Sequence, residues 1–255
     1  MRGTVLALRI SAMTARLLYV CVRPQRGAAD AEYESFRTAA GVSAEEMDAL
    51  DLVRSPLPAL DAYDGYLVGG SPFNMTDPES TKTDEQKHVE ASLASLASAA
   101  AADDGPAALF TCYGIGIATR TLGGEVSRAY PEDTGPTVVT LTPEGERDPL
   151  FGGLATRFTA LTAHKEGSAE PPPGTVLLAT GEAAAVQAYR YGDRLYATQF
   201  HPEASTRAFT ERMAIYRDDG YFASADYDVL AQRVLAASVT EPMRIVRAFA
   251  QRFAS

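Results

Sequence analysis

Cysteine is nearly absent from this sequence. Cys21 and Cys112 are the only two among 255 residues, too few for a disulfide scaffold. The expected compartment is therefore the reducing cytoplasm. No staple is needed, because a chain of this length buries about 70–75% of its unfolded surface. Basic residues are also in short supply: 23 Lys+Arg against 33 Asp+Glu leave a net charge of -10. A nucleic-acid binder needs a basic face to displace counterions from phosphates, so no nucleic-acid partner is expected. No run approaches the ~18 apolar residues that span a bilayer, so no membrane partner is expected either. The three histidines, His88, His164 and His201, lie far apart and show no metal-ligand spacing. No metal and no cofactor is expected. The glycines form no G-x-x-x-x-G-K-[ST] phosphate loop.

What is present describes a globular chain: 46% hydrophobic and 22% charged residues, which excludes disorder of the whole. At ~150 residues per domain the length leaves one large or two small domains open. In residues 1–12, Arg2 precedes Val5-Leu-Ala-Leu8, and Arg9 interrupts that run. This is short for a secretion-signal core and reads as a flexible extension. Met13 is a candidate alternative start.

Residues 15–22 form a dense apolar run, which reads as a buried strand. Residues 28–40 read as a helix stopped by Gly41, with Tyr33, Phe36 and Ala40 at helical spacing. Residues 64–70 are a short strand running into Gly69-Gly70. Thr83-Asp-Glu-Gln86 has capping-box spacing ahead of a helix with Val89, Leu93, Leu96 and Ala100 on one face. Residues 106–111 are another strand, and residues 115–122 a helix closed by Gly123-Gly124. Short strands follow at 138–141, 158–162, 176–179, 185–191 and 195–200. Helices close the chain at 205–216, 226–237 and 241–253, with Thr240 as N-cap of the last. Alternating strands and helices in the first half imply parallel pairing. The expected fold class is α/β: a mostly parallel central sheet flanked by helices, with a helical C-terminal extension.

Three stretches carry chemistry. In Leu109-Phe-Thr-Cys-Tyr-Gly-Ile-Gly116 a strand delivers Cys112 just ahead of a helix. That is the layout of a nucleophile elbow, and the helix N-terminus places partial positive charge beside the sulfur. A buried structural cysteine at a strand end would look similar. In Tyr196-Ala-Thr-Gln-Phe-His-Pro-Glu203 a strand ends at His201. Residues i and i+2 of an extended chain point the same way, so Glu203 can orient the imidazole. A surface histidine beside a helix-starting acid is the plainer reading. In Val68-Gly-Gly-Ser-Pro72 the glycines leave backbone N–H groups to face an anion, or simply make a tight turn.

Together, in this order, the three stretches resemble the class I glutamine amidotransferases. Cys112-Tyr-Gly114 with Leu122-Gly-Gly-Glu-Val126, and Asp148-Pro-Leu-Phe-Gly-Gly-Leu154, are most similar to the amidotransferase domain of GMP synthetase. The resemblance runs from about residue 15 to residue 216. No synthetase module is seen, so it implies a freestanding relative with a flavodoxin-like fold. The implied division is an N-terminal extension (1–14), an amidotransferase-like domain (15–220) and a helical C-terminal extension (221–255). The implied activity is hydrolysis of the side-chain amide of glutamine, a glutaminase step through a γ-glutamyl thioester, with ammonia passed to an acceptor. The implied triad is Cys112, His201 and Glu203. Gly70 and Tyr113 would supply the oxyanion N–H groups, with Gly69 and Gly116 as further substrate-binding positions. A synthetase partner or a homodimer is implied beside the small-molecule substrate.

Two positions depart from the family pattern. Phe110 stands where the family has glycine, and Gly116 where it has a glutamine that helps hold the substrate. The first supports a catalytically silent binding module as an alternative. The second opens the pocket for another alternative, a γ-glutamyl hydrolase acting on a γ-glutamyl amine or peptide. His164, in Thr162-Ala-His-Lys-Glu166, reads as an acceptor-side binding residue or a solvated loop histidine. His88 reads as exposed and Cys21 as core. Ile245, Phe249 and Phe253 share one face of the last helix, to dock on their own domain or on a partner.

Overall fold

A computed structural model describes residues 17–218 and 220–254. The expected extension at 1–14 lies outside them. The chain opens with β1 (Leu17–Cys21), wholly buried. Next is α1 (Arg26–Ala40), which stops at Gly41 in the left-handed conformation, φ 75°, where a side chain would be strained. The short strand β2 (Met47–Asp51) follows. It is not legible in the sequence, because two aspartates interrupt its apolar pattern. Asp48 is tolerated inside because the Tyr63 hydroxyl donates to it at 2.7 Å.

The chain continues with β3 (Gly65–Val68), α2 (Asp84–Ala100), β4 (Ala107–Thr111) and α3 (Tyr113–Thr121). Thr83 caps α2 by accepting from the Gln86 N–H at 3.2 Å. The Gln86 side chain does not complete the capping box; it donates to the Asn74 carbonyl and to Glu90 instead. Then come β5 (Glu132–Leu141), α4 (Pro143–Arg147), β6 (Arg157–His164), β7 (Thr175–Gly181), β8 (Ala188–Tyr191) and β9 (Leu195–Thr198). β5 starts six residues earlier than the sequence pattern suggests, since a bulge between Glu132 and Gly135 lets it pass through Gly135-Pro136. α5 (Thr206–Ile215), a 3-10 turn at Ser224–Asp226, α6 (Tyr227–Leu235) and α7 (Met243–Phe253) complete the described chain. Thr240 is not the cap of α7. The helix begins later, Pro242 holds the N-cap position, and no side chain caps it. The backbone turn is closed by the carbonyls of Glu241 and Pro242, which accept from the N–H groups of Arg244 and Ile245.

One nine-stranded sheet runs in the order β2-β1-β3-β4-β9-β8-β7-β5-β6. The α/β class expected from the sequence holds. β2, β1, β3, β4 and β9 are mutually parallel, and β8, β7, β5 and β6 continue the sheet with antiparallel pairings. Side chains alternate across the sheet. Leu17, Tyr19 and Cys21 of β1 pack into a core with α1 and α7, while Leu18 and Val20 pack into a second with α2 and α3. The apolar face of α7 docks onto its own chain: Ile245, Val246 and Phe249 are fully buried in the first core. Among the described residues no helix is long and apolar enough to cross a membrane.

Candidate active site

Three neighbouring parallel strands, β3, β4 and β9, end on the same edge of the sheet. In open α/β sheets ligands bind beyond the carboxyl ends of the strands. Gly69-Gly70 follows β3, Cys112 follows β4, and His201 follows β9. The three motif stretches are therefore brought together by parallel pairing, although Gly70 and His201 are far apart in the chain.

Cys112 sits between β4 and α3 with φ 51° and ψ -103°, the one non-glycine residue with positive φ among those described. Such a conformation costs of order 1–3 kcal/mol and persists only where the surroundings over-determine it. Here the Cys112 N–H donates to the Thr198 carbonyl of β9 at 2.8 Å, and its own carbonyl accepts from Ile115 in α3. Phe110 does not disturb this turn. Its ring is fully buried in the second core, and Gly114 makes room for it: a Cβ there would stand 3.2 Å from the Phe110 Cβ. Tyr113 is the first residue of α3, so its N–H has no acceptor within the helix.

His201 is buried, and its Nδ1–H donates to Glu203 Oε1 at 2.9 Å. Burial opposes an imidazolium here. Glu203 and then Cys112 outweigh that and raise the pKa of His201 to about 9. Burial also opposes the Glu203 carboxylate, but His201 and Arg212 hold it down at about 2. The His201 ring packs edge-on against Phe209 of α5, centroids 5.8 Å apart. Gly70 also lies close: a Cβ there would meet His201 Cε1 at 2.8 Å and Cys112 Cβ at 3.4 Å.

A charged network behind His201 and Glu203 is not foreseen from the sequence. Arg212 of α5 donates to Glu203 at 3.0 Å and to Glu32 of α1 at 2.6 Å. Arg23 donates to Glu32 at 2.7 Å and to the Tyr216 hydroxyl at 3.1 Å, and Tyr19 donates to Glu32 at 2.7 Å. Glu32 is fully buried. It also accepts from the Gly70 N–H at 3.3 Å, tying the Gly69-Gly70 turn to the network. Gly69 has a different part: its N–H donates to the Val20 carbonyl at 3.1 Å, and a Cβ there would overlap the Glu32 carboxylate. Glu32, His201 and Glu203 are close enough together to suggest cation ligands, but the Arg212 guanidinium already bridges the two carboxylates. The signal available in sequence was an ionisable residue inside an apolar helical stripe: Glu32 lies between Ala28 and Phe36, and Arg212 between Phe209 and Met213.

Cys112 opens onto two cavities. The first, about 400 Å³ including its part open to solvent, is lined by His201, Arg23, Thr134, Phe209, Tyr216 and Phe222, among others. The second, of about 410 Å³ on the same measure, is lined by Tyr113, Gly116, Asn74, Lys165, Glu166 and Gln199, among others. Tyr221 stands against both and donates to the Ser71 carbonyl at 3.2 Å. Gly116 offers no side chain, and the Glu166 carboxylate reaches within 3.7 Å of where its Cβ would be. Glu166 is buried and accepts from the N–H groups of Met75 and Thr76 at 2.7 and 2.9 Å. His164 is not a solvated loop residue. It is buried, with Nε2 on Glu132 and Nδ1 on the Glu166 carbonyl, each at 2.8 Å. His88 is exposed and Cys21 is buried, as their patterns suggest; burial pushes the Cys21 thiol up to about 12.

Residues 42–216, more than half of the chain, match the family model of the class-I glutamine amidotransferases. The chain belongs to that family. It is 34% identical over 105 residues to GMP synthase [glutamine-hydrolyzing] of Thermotoga petrophila, covering 41% of this chain and 20% of that one. In Sulfolobus acidocaldarius a single subunit of the glutamine-hydrolyzing GMP synthase is 29% identical to it over 145 residues, covering 56% and 69%. The matched part is thus a small fraction of the Thermotoga GMP synthase and most of the Sulfolobus polypeptide. Among solved structures, a glutamine amidotransferase from Thermotoga maritima superposes with a TM-score of 0.70 at 19% identity, covering 94% of this chain and 98% of that one; at that identity the likeness is one of fold.

Proposed function

We propose that this chain is a thiol-dependent glutamine amidotransferase working through Cys112, His201 and Glu203. The observation that carries this reading is the buried His201–Glu203 pair beside a cysteine held at positive φ. The amino-acid head of the substrate occupies the second cavity, where the Glu166 carboxylate complements an ammonium group. The Cys112 sulfur attacks the γ-carbonyl carbon. The negative charge that develops on the oxygen is held by the N–H groups of Gly70 and Tyr113. For Gly70 this means exchanging Glu32 Oε1 for the oxyanion. His201, kept charged and aimed by Glu203, gives its proton to the departing nitrogen, and the C–N bond breaks. A water molecule then attacks the γ-glutamyl thioester, His201 takes its proton, and glutamate leaves. The likeness to glutamine-hydrolyzing GMP synthases supports a further step, in which the ammonia passes to an acceptor on a synthetase partner.

The test is release of glutamate and ammonia from glutamine by the purified chain, together with labelling by an electrophilic glutamine analogue. Stoichiometric label on Cys112, absent from Cys112→Ala and from His201→Ala, is the expected result. No label and no release, with or without a candidate synthetase, would sink the reading.

A further inference from the structure

One atom behind His201 is crowded. Glu203 Oε1 accepts from His201 Nδ1 at 2.9 Å and from both terminal nitrogens of Arg212 at 3.0 Å. Imidazole and guanidinium therefore share a single oxygen. A cation drawing on that oxygen weakens its hold on a charged ring, and Arg212 acts on His201 in that direction. Glu32 limits the draw. Arg212 Nη1 lies 2.6 Å from Glu32 Oε1, closer than its 3.0 Å to Glu203.

Glu32 is built to keep its share. Burial opposes its charge, but Arg23 and then Arg212 hold its pKa below the ordinary carboxylate value. Two buried cations thus face two buried carboxylates. Arg23 and Tyr19 pin the Glu32 carboxylate, each at 2.7 Å. One of its oxygens comes within 4.8 Å of a His201 ring nitrogen. Oε1 also accepts from the Gly70 N–H at 3.3 Å, a longer contact than those from Arg212, Arg23 and Tyr19. That contact is the first to yield when another anion competes for the N–H. Glu32 itself lines neither cavity at Cys112, so any effect on the reaction passes through its neighbours.

We infer that Glu32 is a positioning residue of this site: it draws the Arg212 guanidinium away from Glu203 Oε1, which leaves that oxygen to His201, and it steadies the Gly70 N–H. This deepens the amidotransferase reading above and rests on it. The charged groups that bear on His201 are Glu203 beside it, Cys112 at the end of β4, Arg212 on α5 and Glu32 on α1. Arg23, Tyr19 and Tyr216 act one contact farther back, through Glu32. Neutralising Glu32 leaves two cations against one carboxylate, and the whole pull of Arg212 falls on Glu203.

The experiment follows glutamate release from glutamine across pH for the full chain and three variants, each shown to be folded by its thermal melt. Glu32→Gln keeps the shape and loses the charge. It should lower kcat about tenfold or more while KM for glutamine stays within about twofold. Its alkaline limb should move about one pH unit below that of the native chain, because an imidazolium loses a nearby anion. Glu32→Asp keeps the charge and should hold the limb within about half a unit of native, with kcat between the other two. Tyr19→Phe takes a hydrogen bond from the same carboxylate without changing charge, and should leave the limb in place. A less stable Glu32→Gln with native kcat and native limb would show a merely structural residue and overturn the inference. So would a raised KM at unchanged kcat, or a limb moved equally by Tyr19→Phe. Should Glu32→Gln fail to fold, native kcat in Glu32→Asp would overturn it, and a loss of about threefold or more at unchanged KM would support it. Each of these outcomes leaves the amidotransferase reading standing. Absence of glutamate release and of Cys112 labelling in the native chain would remove both together.

Discussion

This molecule buries two histidine–glutamate pairs, and they teach opposite lessons. His201 meets Glu203 at 2.9 Å, and His164 meets Glu132 at 2.8 Å. Both rings are almost fully covered. The difference lies in the second nitrogen. His164 spends it on the Glu166 carbonyl, so both of its nitrogens hold the fold together at the end of β6. His201 spends Nδ1 on its carboxylate, which leaves Nε2 for Cys112. The carboxylates differ as well. Glu132 is satisfied by neutral donors from Thr137 and Gln187 in addition to its histidine, whereas Glu203 is held by the Arg212 cation. A buried imidazole beside a carboxylate can serve the proposed chemistry only when one nitrogen is kept for a reactant.

The largest expected effect separates the two pairs by activity. His201→Ala should lower glutamate release on the order of 10³-fold or more, while His164→Gln should cost less than about tenfold, measured on protein shown to be folded by its thermal melt. Comparable losses from both would erase the distinction between the pairs. Next in size is the network behind His201. Arg212→Met takes away the cation that Glu203 and Glu32 share, leaving Glu203 with His201 and Glu32 with Arg23, and should cost about 3 kcal/mol in denaturant unfolding. Glu32→Gln alone removes a carboxylate that both Arg23 and Arg212 use, so the double variant should lose less than the sum of the two single losses; a strictly additive double variant would show that the two do not interact.

A smaller effect is expected from pH. His201 titrates at about 9 in the folded chain against an ordinary 6.5. A raised pKa means that folding favours the protonated ring. The stability contributed is thus full below about 6.5 and is lost as pH rises through about 9. Thermal melts across that window should fall more steeply for the native sequence than for His201→Gln. The alkaline limb of kcat/KM should lie near the same value. The smallest expected effect belongs to the other pair. Glu132→Gln keeps most of its hydrogen bonds and should cost about 1–3 kcal/mol of stability while leaving the alkaline limb in place.

Much of this site was legible in the chain itself. Cys112 ahead of a glycine-bearing helix, His201 two residues from Glu203, and the glycine pair after β3 are local patterns, and local patterns survive in sequence. The elements missed were those whose reasons are remote. β2 carries aspartates that become acceptable only when Tyr63 reaches one of them. Thr240 had the right chemistry for a cap, but α7 starts where its apolar face meets α1. His164 looked like a loop residue until the bulged strand β5 brought Glu132 across to it.

The sequence by itself determined the strand–turn–helix that strains Cys112, the spacing that lets Glu203 reach His201, and the scarcity of cysteine that leaves Cys21 to the core and Cys112 to the turn. Each depends on residues close along the chain, where backbone geometry dictates direction. Only the tertiary structure decided that Glu32, Arg23 and Arg212 meet behind His201 and Glu203, that Glu166 fills the place beside Gly116, and that aromatic residues of α5 and the segment after it gather beside Cys112. Those residues come from separate helices and loops. Their meeting is set by the order in which the strands pair and by the cores that seat α1 and α5 against the sheet.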